Sequence, residues 1–258
     1  MVVGSGQRGH RIVLEEPQIP FDPKVIYEDR RIIVVDKPHF LATTPRGMWY
    51  ADTVLIRMRQ LYGELDITPA HRLDRATAGV LVLVRDPAAR RAYQMLFQEH
   101  RVRKVYQCLA PVRPIVRPRT GTVRHMNPPR IFPLERRSRV IKRRGVLQAW
   151  EERGPVNAVT RIELTVGQGP AAADSRGCLA TYTLYPQTGK THQLRVHMNA
   201  LGLPIAGDDL YPRIQTRAYD DYSRPLQLVA RCLEFTDPFT GVKRSFVSSV
   251  PLNPQGEV

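Results

Sequence analysis

The stretch AHRLDRATAGVLVLVRD, Ala70 to Asp86, joins a short polar turn to an unbroken aliphatic run. From Val80 to Val84 no side chain is suited to water, so the run predicts a strand buried on both faces rather than one lying at a surface. The turn before it is thereby anchored to a rigid element. Within the turn Asp74 stands two residues from Arg72. By residue type this pair has two readings: a structural ion pair, or a carboxylate aimed at a ligand and positioned more sharply than a free loop would allow.

Composition narrows the partners. The 258 residues, 42% of them hydrophobic, suffice for one large domain or two small ones with a sizeable core. Lys and Arg number 39 against 24 acids, a formal charge of +15. That excess favours a polyanion, with nucleic acid first and an anionic membrane surface second. No segment approaches the roughly 18 apolar residues that span a bilayer, so no membrane partner is expected. Cys108, Cys178 and Cys232 are scattered and odd in number, which predicts neither a disulfide framework nor a zinc site and fits a reducing cytoplasm. Residues 1–23 lack the apolar core of a signal peptide and read as a flexible arm.

Outward from the opening stretch, Asp52 and Thr53 cap a predicted helix carrying Val54, Leu55, Met58 and Leu61 on one side and ended by Gly63. Asp86-Pro87 starts a second helix reaching Glu99. From Pro111 to Gly145 repeated Pro and Arg, with Glu135 the only acid, predict an exposed basic loop or hairpin, or a disordered excursion. Residues 158–166 and 179–184 alternate as paired strands. Residues 191–201 read as a helix with His192 and Arg195 on one face, ended by Gly202. His197, five residues after His192, falls on another face, a spacing unsuited to zinc, and no metal is assigned.

His71, Arg72, Leu73 and Asp74, with Thr77 and Gly79, resemble the central motif of the RluA-type RNA pseudouridine synthases, with Ala78 where Ser is usual. The resemblance extends in order through Val25–Pro38, an opening hairpin; Lys104 and Tyr106; Thr188–Tyr211, with Lys190 in place of the commoner Arg; and Leu226–Gly241, where Val229 stands in place of a frequent His. It implies an α+β fold over residues 24–258, a central mixed or antiparallel sheet flanked by helices and loops, with a cleft across the sheet. It makes Asp74 the catalytic group, Arg195 its ion-pair partner and Tyr106 an active-site ring. Substrate contacts would come from His71, Arg72, Lys104, His192 and Leu228, with Arg72 filling the space of a flipped-out nucleotide or holding a rotated phosphate. The implied reaction breaks the N1 glycosidic bond of uridine, turns the uracil, rejoins it through C5 and releases the C5 proton. No atoms or electrons come from outside, so no cofactor is expected. The expected partner is ribosomal or transfer RNA, and the expected state a monomer. A catalytically silent RNA-binding protein and a nucleoside hydrolase are the competing classes.

Overall fold

Why the aliphatic run has no polar side is clear from its surroundings: every residue from Ala78 to Val84 is buried between two helical layers. The computed structural model describes residues 16, 18–46, 50–165, 173–174 and 177–252. In chain order the elements are β1 (Lys24–Glu28), β2 (Ile32–Lys37), α1 (Val54–Tyr62), β3 (Thr68–Pro69), β4 (Ala78–Val84), α2 (Arg90–Gln98), β5 (Arg103–Pro111), β6 (Thr122–His125), β7 (Leu134–Ile141), β8 (Trp150–Glu152), β9 (Ala158–Thr165), β10 (Ala173–Asp174), β11 (Gly177–Pro186), α3 (Gln193–Ala200), β12 (Leu228–Thr236) and β13 (Lys243–Val247).

Alternation along β4 divides its side chains between the layers. Leu81 and Leu83, with Ile33 and Val35 of β2, pack on Val54, Leu55 and Met58 of α1. Val80, Val82 and Val84 pack on Tyr93 and Leu96 of α2. Each such side chain contributes about 1.5–3 kcal/mol by leaving water. In the other half of the molecule α3 lays Leu194 and Met198 over Cys108, Leu134, Ile162, Tyr182 and Leu184.

The sheet runs β1-β2-β4-β12-β5-β11-β9-β7-β6, with β3, β8, β10 and β13 attached to β4, β7, β11 and β12. Its one parallel pairing among the described strands, β4 with β12, rests on Val229↔Ala78 and Ala230↔Gly79. This short junction joins the two halves. Gly79 has φ 115°, and a Cβ there would lie 2.3 Å from Ala230 O, so only glycine allows the two backbones to meet. Val229 is fully buried at this junction.

Several expectations are refined. Thr53 caps α1 by accepting from Ile56 N–H at 3.3 Å, and Gly63 ends it in left-handed backbone at φ 66°. Leu61 is 66% exposed, because Tyr62 takes the place against the core. A short 3-10 turn, Pro87–Ala89, precedes α2. The end of the expected arm is held: Ile19 is buried, Asp52 accepts its N–H, and Arg57 donates to Ile19 O at 2.6 Å and Phe21 O at 2.8 Å. Residues 1–15 and 17 lie outside the described residues.

The basic segment forms the hairpin β6–β7, added antiparallel to β9. Along β7 Leu134, Arg136, Ser138 and Val140 point inward. Arg136 is therefore structural, donating to Glu151 Oε2 at 2.5 Å and to the carbonyls of Thr120, Thr122 and Arg137. Arg113, Arg117, Arg124, Arg137, Arg143 and Arg144 are exposed. No helix among the described residues is long and apolar enough to cross a membrane.

Candidate active site

The Asp74 turn lies between β3 and β4 and is gripped from behind by the end of β2 and the loop that follows it. Thr43 Oγ1 donates to Leu73 O at 2.8 Å, Lys37 Nζ to Arg75 O at 3.2 Å and His39 Nδ1 to Ala76 O at 2.8 Å. Thr77 N–H closes the turn on Asp74 O at 3.0 Å. With the carbonyls around it engaged, Asp74 turns its carboxylate outward, its side chain 38% exposed. Lys37 is wholly buried and also donates to Pro38 O and Leu41 O, three acceptors for three ammonium protons. Burial draws its pKa down to about 7, and Asp74 opposes that fall.

Asp74 opens into a cleft of about 1260 Å³, wider than the roughly 300–1,000 Å³ typical of small-ligand pockets. All eight nominated residues, Asp74, Tyr106, Arg195, His71, Arg72, Lys104, His192 and Leu228, line it. They come from both halves of the sheet. Tyr106 on β5 pairs with Leu184 of β11 and Ala230 of β12. Burial, then the charge of Asp74, pushes its hydroxyl well above the ordinary range, so at neutral pH it is a protonated phenol. Leu228, 3% exposed, adds an apolar wall. Burial lowers the pKa of Lys104.

His71 is largely occupied in holding the turn. Its Nε2 accepts from Val82 N–H at 3.2 Å, its ring stacks on Phe97 at 4.2 Å, and burial followed by Lys104 lowers its pKa to about 3. Arg72 is exposed and, among the described residues, makes no hydrogen bond or ion pair, so the simple Arg72–Asp74 pair does not form.

The expected Arg195–Asp74 pair is also redrawn. Arg195 is 3% exposed and gives Nε and Nη2 to Asp208 at 2.8 and 2.5 Å, and Nη2 to Asp209 at 2.9 Å. Two nearer carboxylates take its fork, and Asp74 acts on it through space. Burial opposes the Arg195 cation; Asp208, Asp209 and Asp74 outweigh burial and raise its pKa.

His192 does not share a helical face with Arg195. It precedes α3 in left-handed backbone at φ 55°, with Nε2 3.9 Å from Asp74 Oδ2. Burial lowers its pKa, while Asp74 opposes this. Among the described residues the non-glycine positions with positive φ are Phe40 at 65°, His100 at 56° and His192 at 55°, and all three line the cleft. Such backbone is costly and concentrates at functional sites. His197 faces away, buried between Ser138 Oγ at 3.0 Å and Thr160 Oγ1 at 2.9 Å.

The lining is strongly basic. Arg46, Arg72, Arg75, Lys104, Lys190, Arg195, Arg217 and Arg224 stand against Asp74, Asp209 and Asp221. Sequence reasoning gave no role to Thr43, Lys37 or Asp208, although a lysine closing the apolar strand IIVVDK signals a buried, paired charge. It also gave none to Ile214, Thr216 and Tyr219, which form a further wall and show no periodic pattern. Among the described residues no group of three or more His, Cys, Asp or Glu is placed to hold a metal ion.

Comparison with known proteins identifies the family. Residues 31–200 match the family described as RNA pseudouridylate synthase. The dual-specificity RNA pseudouridine synthase RluA of Haemophilus influenzae is 32% identical over 243 residues, 91% of this chain and 97% of that protein. Its Escherichia coli K12 counterpart is 34% identical over 225 residues, 86% of this chain and 90% of that protein. The solved structure of human RNA pseudouridylate synthase domain containing 4 is 25% identical, with a TM-score of 0.57 and 88% of each chain covered. That of domain containing 1 shares the fold at a TM-score of 0.60, 23% identity and 94% and 89% coverage. The chain thus belongs to the RNA pseudouridylate synthase family and is an RluA-type RNA pseudouridine synthase.

Proposed function

We propose that this enzyme isomerises specific uridines in structured ribosomal or transfer RNA, in the cytoplasm, with Asp74 as the essential group. The observation that carries the reading is the outward-facing Asp74 carboxylate, in a basic cleft lined by Tyr106, Arg195 and His192. The carboxylate acts as a nucleophile, on C1′ of the sugar or C6 of the base, or starts elimination at the ribose; each route needs it ionised. Arg195, and Lys37 behind the turn, lie close enough to interact with the carboxylate through space.

Tyr106 offers a flat face to the uracil. Being a protonated phenol, it is not itself the base for the departing C5 proton; it orients a water that carries that proton out to solvent. Leu228 walls the base pocket, and Lys104 and His192 complete the contacts. A paired base is out of reach of Asp74, so the nucleotide is flipped out at a cost of a few kcal/mol. Arg72, exposed and uncommitted among the described residues, occupies the vacated space or holds the rotated phosphate. The exposed arginines of the β6–β7 hairpin and of the loop after β7 grip backbone phosphates around the site.

Incubation with cellular RNA tritiated at uridine C5 tests this. The enzyme releases label to water. Asp74→Asn abolishes release and leaves RNA binding within about twofold, since one side chain changes among many phosphate contacts. Equal release by Asp74→Asn removes Asp74 from the reaction. No release by the unaltered protein from any RNA fraction leaves the silent RNA-binding reading, and free uracil among the products identifies a hydrolase.

A further inference from the structure

The turn Gly207–Tyr211, between α3 and β12, takes no direct part in the chemistry above, yet its side chains hold two groups beside Asp74. Asp208 is buried and binds Arg195 with both oxygens, at 2.8 and 2.5 Å. The same carboxylate is fixed by its own backbone, Oδ1 accepting from Leu210 N–H at 2.8 Å and Tyr211 N–H at 2.9 Å. Arg195 is thus oriented by a rigid acceptor that cannot swing into the cleft.

Tyr211 does the same for His192. Its hydroxyl oxygen accepts from Ala149 N–H at 2.8 Å, and lies 2.7 Å from Ala149 O and 3.2 Å from His192 Nδ1. The phenol has one proton. When that proton goes to the nearer carbonyl, the oxygen accepts from His192 Nδ1–H, which leaves Nε2 as the ring atom facing Asp74 Oδ2 at 3.9 Å. A lone pair at Nε2 repels the carboxylate and a proton there attracts it. The Tyr211 bond therefore ties the protonation state of His192 to the setting of Asp74.

We infer that Asp208 and Tyr211 form a positioning device, holding Arg195 and His192 so that the Asp74 carboxylate keeps one orientation toward the nucleotide. The inference rests on the reading of Asp74 as the reacting group. His192 pays for its place with left-handed backbone at φ 55°, a conformation that asparagine tolerates better than most residues. The charged groups facing it are Asp74, Arg195 from α3, Asp208, and Lys142 beyond β7.

Two variants test the device. Tyr211→Phe keeps the ring in its core and removes the hydroxyl. His192→Asn keeps a donor near the Nδ1 position and removes Nε2. Tritium release under single-turnover conditions, RNA affinity, the pH–rate profile and thermal unfolding are measured for each variant and for the pair. The expected result is a fall in the rate constant of at least about tenfold, with RNA affinity within about twofold, a displaced acid limb of the pH profile, and a double variant no worse than the poorer single one. Unchanged rate and pH profile in folded His192→Asn overturn the inference, whatever Tyr211→Phe does. So does a rate that falls only in proportion to lost folded protein. If the unaltered enzyme releases no tritium, the functional reading fails instead, which keeps the two failures distinct.

Discussion

At the scale of single residues, buried charge and buried neutrality do different work. Lys37 stays beside Asp74 as a donor to three carbonyls, whereas His39, His71 and His197 are held neutral, burial lowering their pKa values to about 4, 3 and 3. An unfolded chain titrates these histidines near pH 6.5. Between that pH and the folded values the unfolded state binds more protons, so their stabilisation is complete above about pH 6.5 and is lost as pH falls. Each ring adds a slope of up to about 1.4 kcal/mol per pH unit. Denaturant unfolding between pH 7 and 4 should show stability falling with acid, and His197→Gln should reduce the slope by about one proton. A slope unchanged by that substitution would show His197 charging freely inside the fold. At this scale resemblance singled out Asp74 and Tyr106, and the fold brings both to one cleft. The sequence was silent about Arg195 preferring Asp208, because a carboxylate thirteen positions away becomes the nearest partner only after the chain has turned.

At the scale of elements, periodicity and capping carried most of the reading. The aliphatic run, the Thr53 cap, the Asp86-Pro87 start and the strands over 158–166 and 179–184 all correspond to observed elements, because their signals are local. The basic segment reads equally as a hairpin or as disordered chain. Its strand β7 buries an arginine every bit as deeply as its leucine, and Glu151, which makes that tolerable, lies outside the segment. The β4–β12 junction was illegible for the same reason: two residue pairs 151 positions apart leave no pattern in either strand. Gly79 is its weak point. Gly79→Ala places a methyl against Ala230 backbone at a φ that suits only glycine, so a loss of about 3 kcal/mol is expected. Thermal unfolding should show this as a fall of roughly 6–12 °C. A fall under about 2 °C would mean that the junction yields without cost.

At the scale of the whole molecule the +15 charge is spread over basic residues that line the cleft and exposed arginines of the β6–β7 hairpin at one edge of the sheet. If about five phosphates are held, a single-strand slope of roughly −0.7 per contact weakens binding about a hundredfold between 50 and 200 mM salt. Replacing Arg143 and Arg144 together should lower that slope by up to about 1.4 and leave the ratio between RNA sequences nearly unchanged, since phosphate contacts carry no sequence information. An unaltered slope would move the grip elsewhere on the surface. The choice of uridine then lies with loop shape and the flipped base, which charge counting does not reach.

The two halves of the sheet meet through a pair of residues on each strand, and the cleft takes its walls from both. A polymer lying there touches both halves at once. RNA that binds only the folded protein stabilises it by mass action, so filling the cleft and holding the two halves together draw on the same free energy.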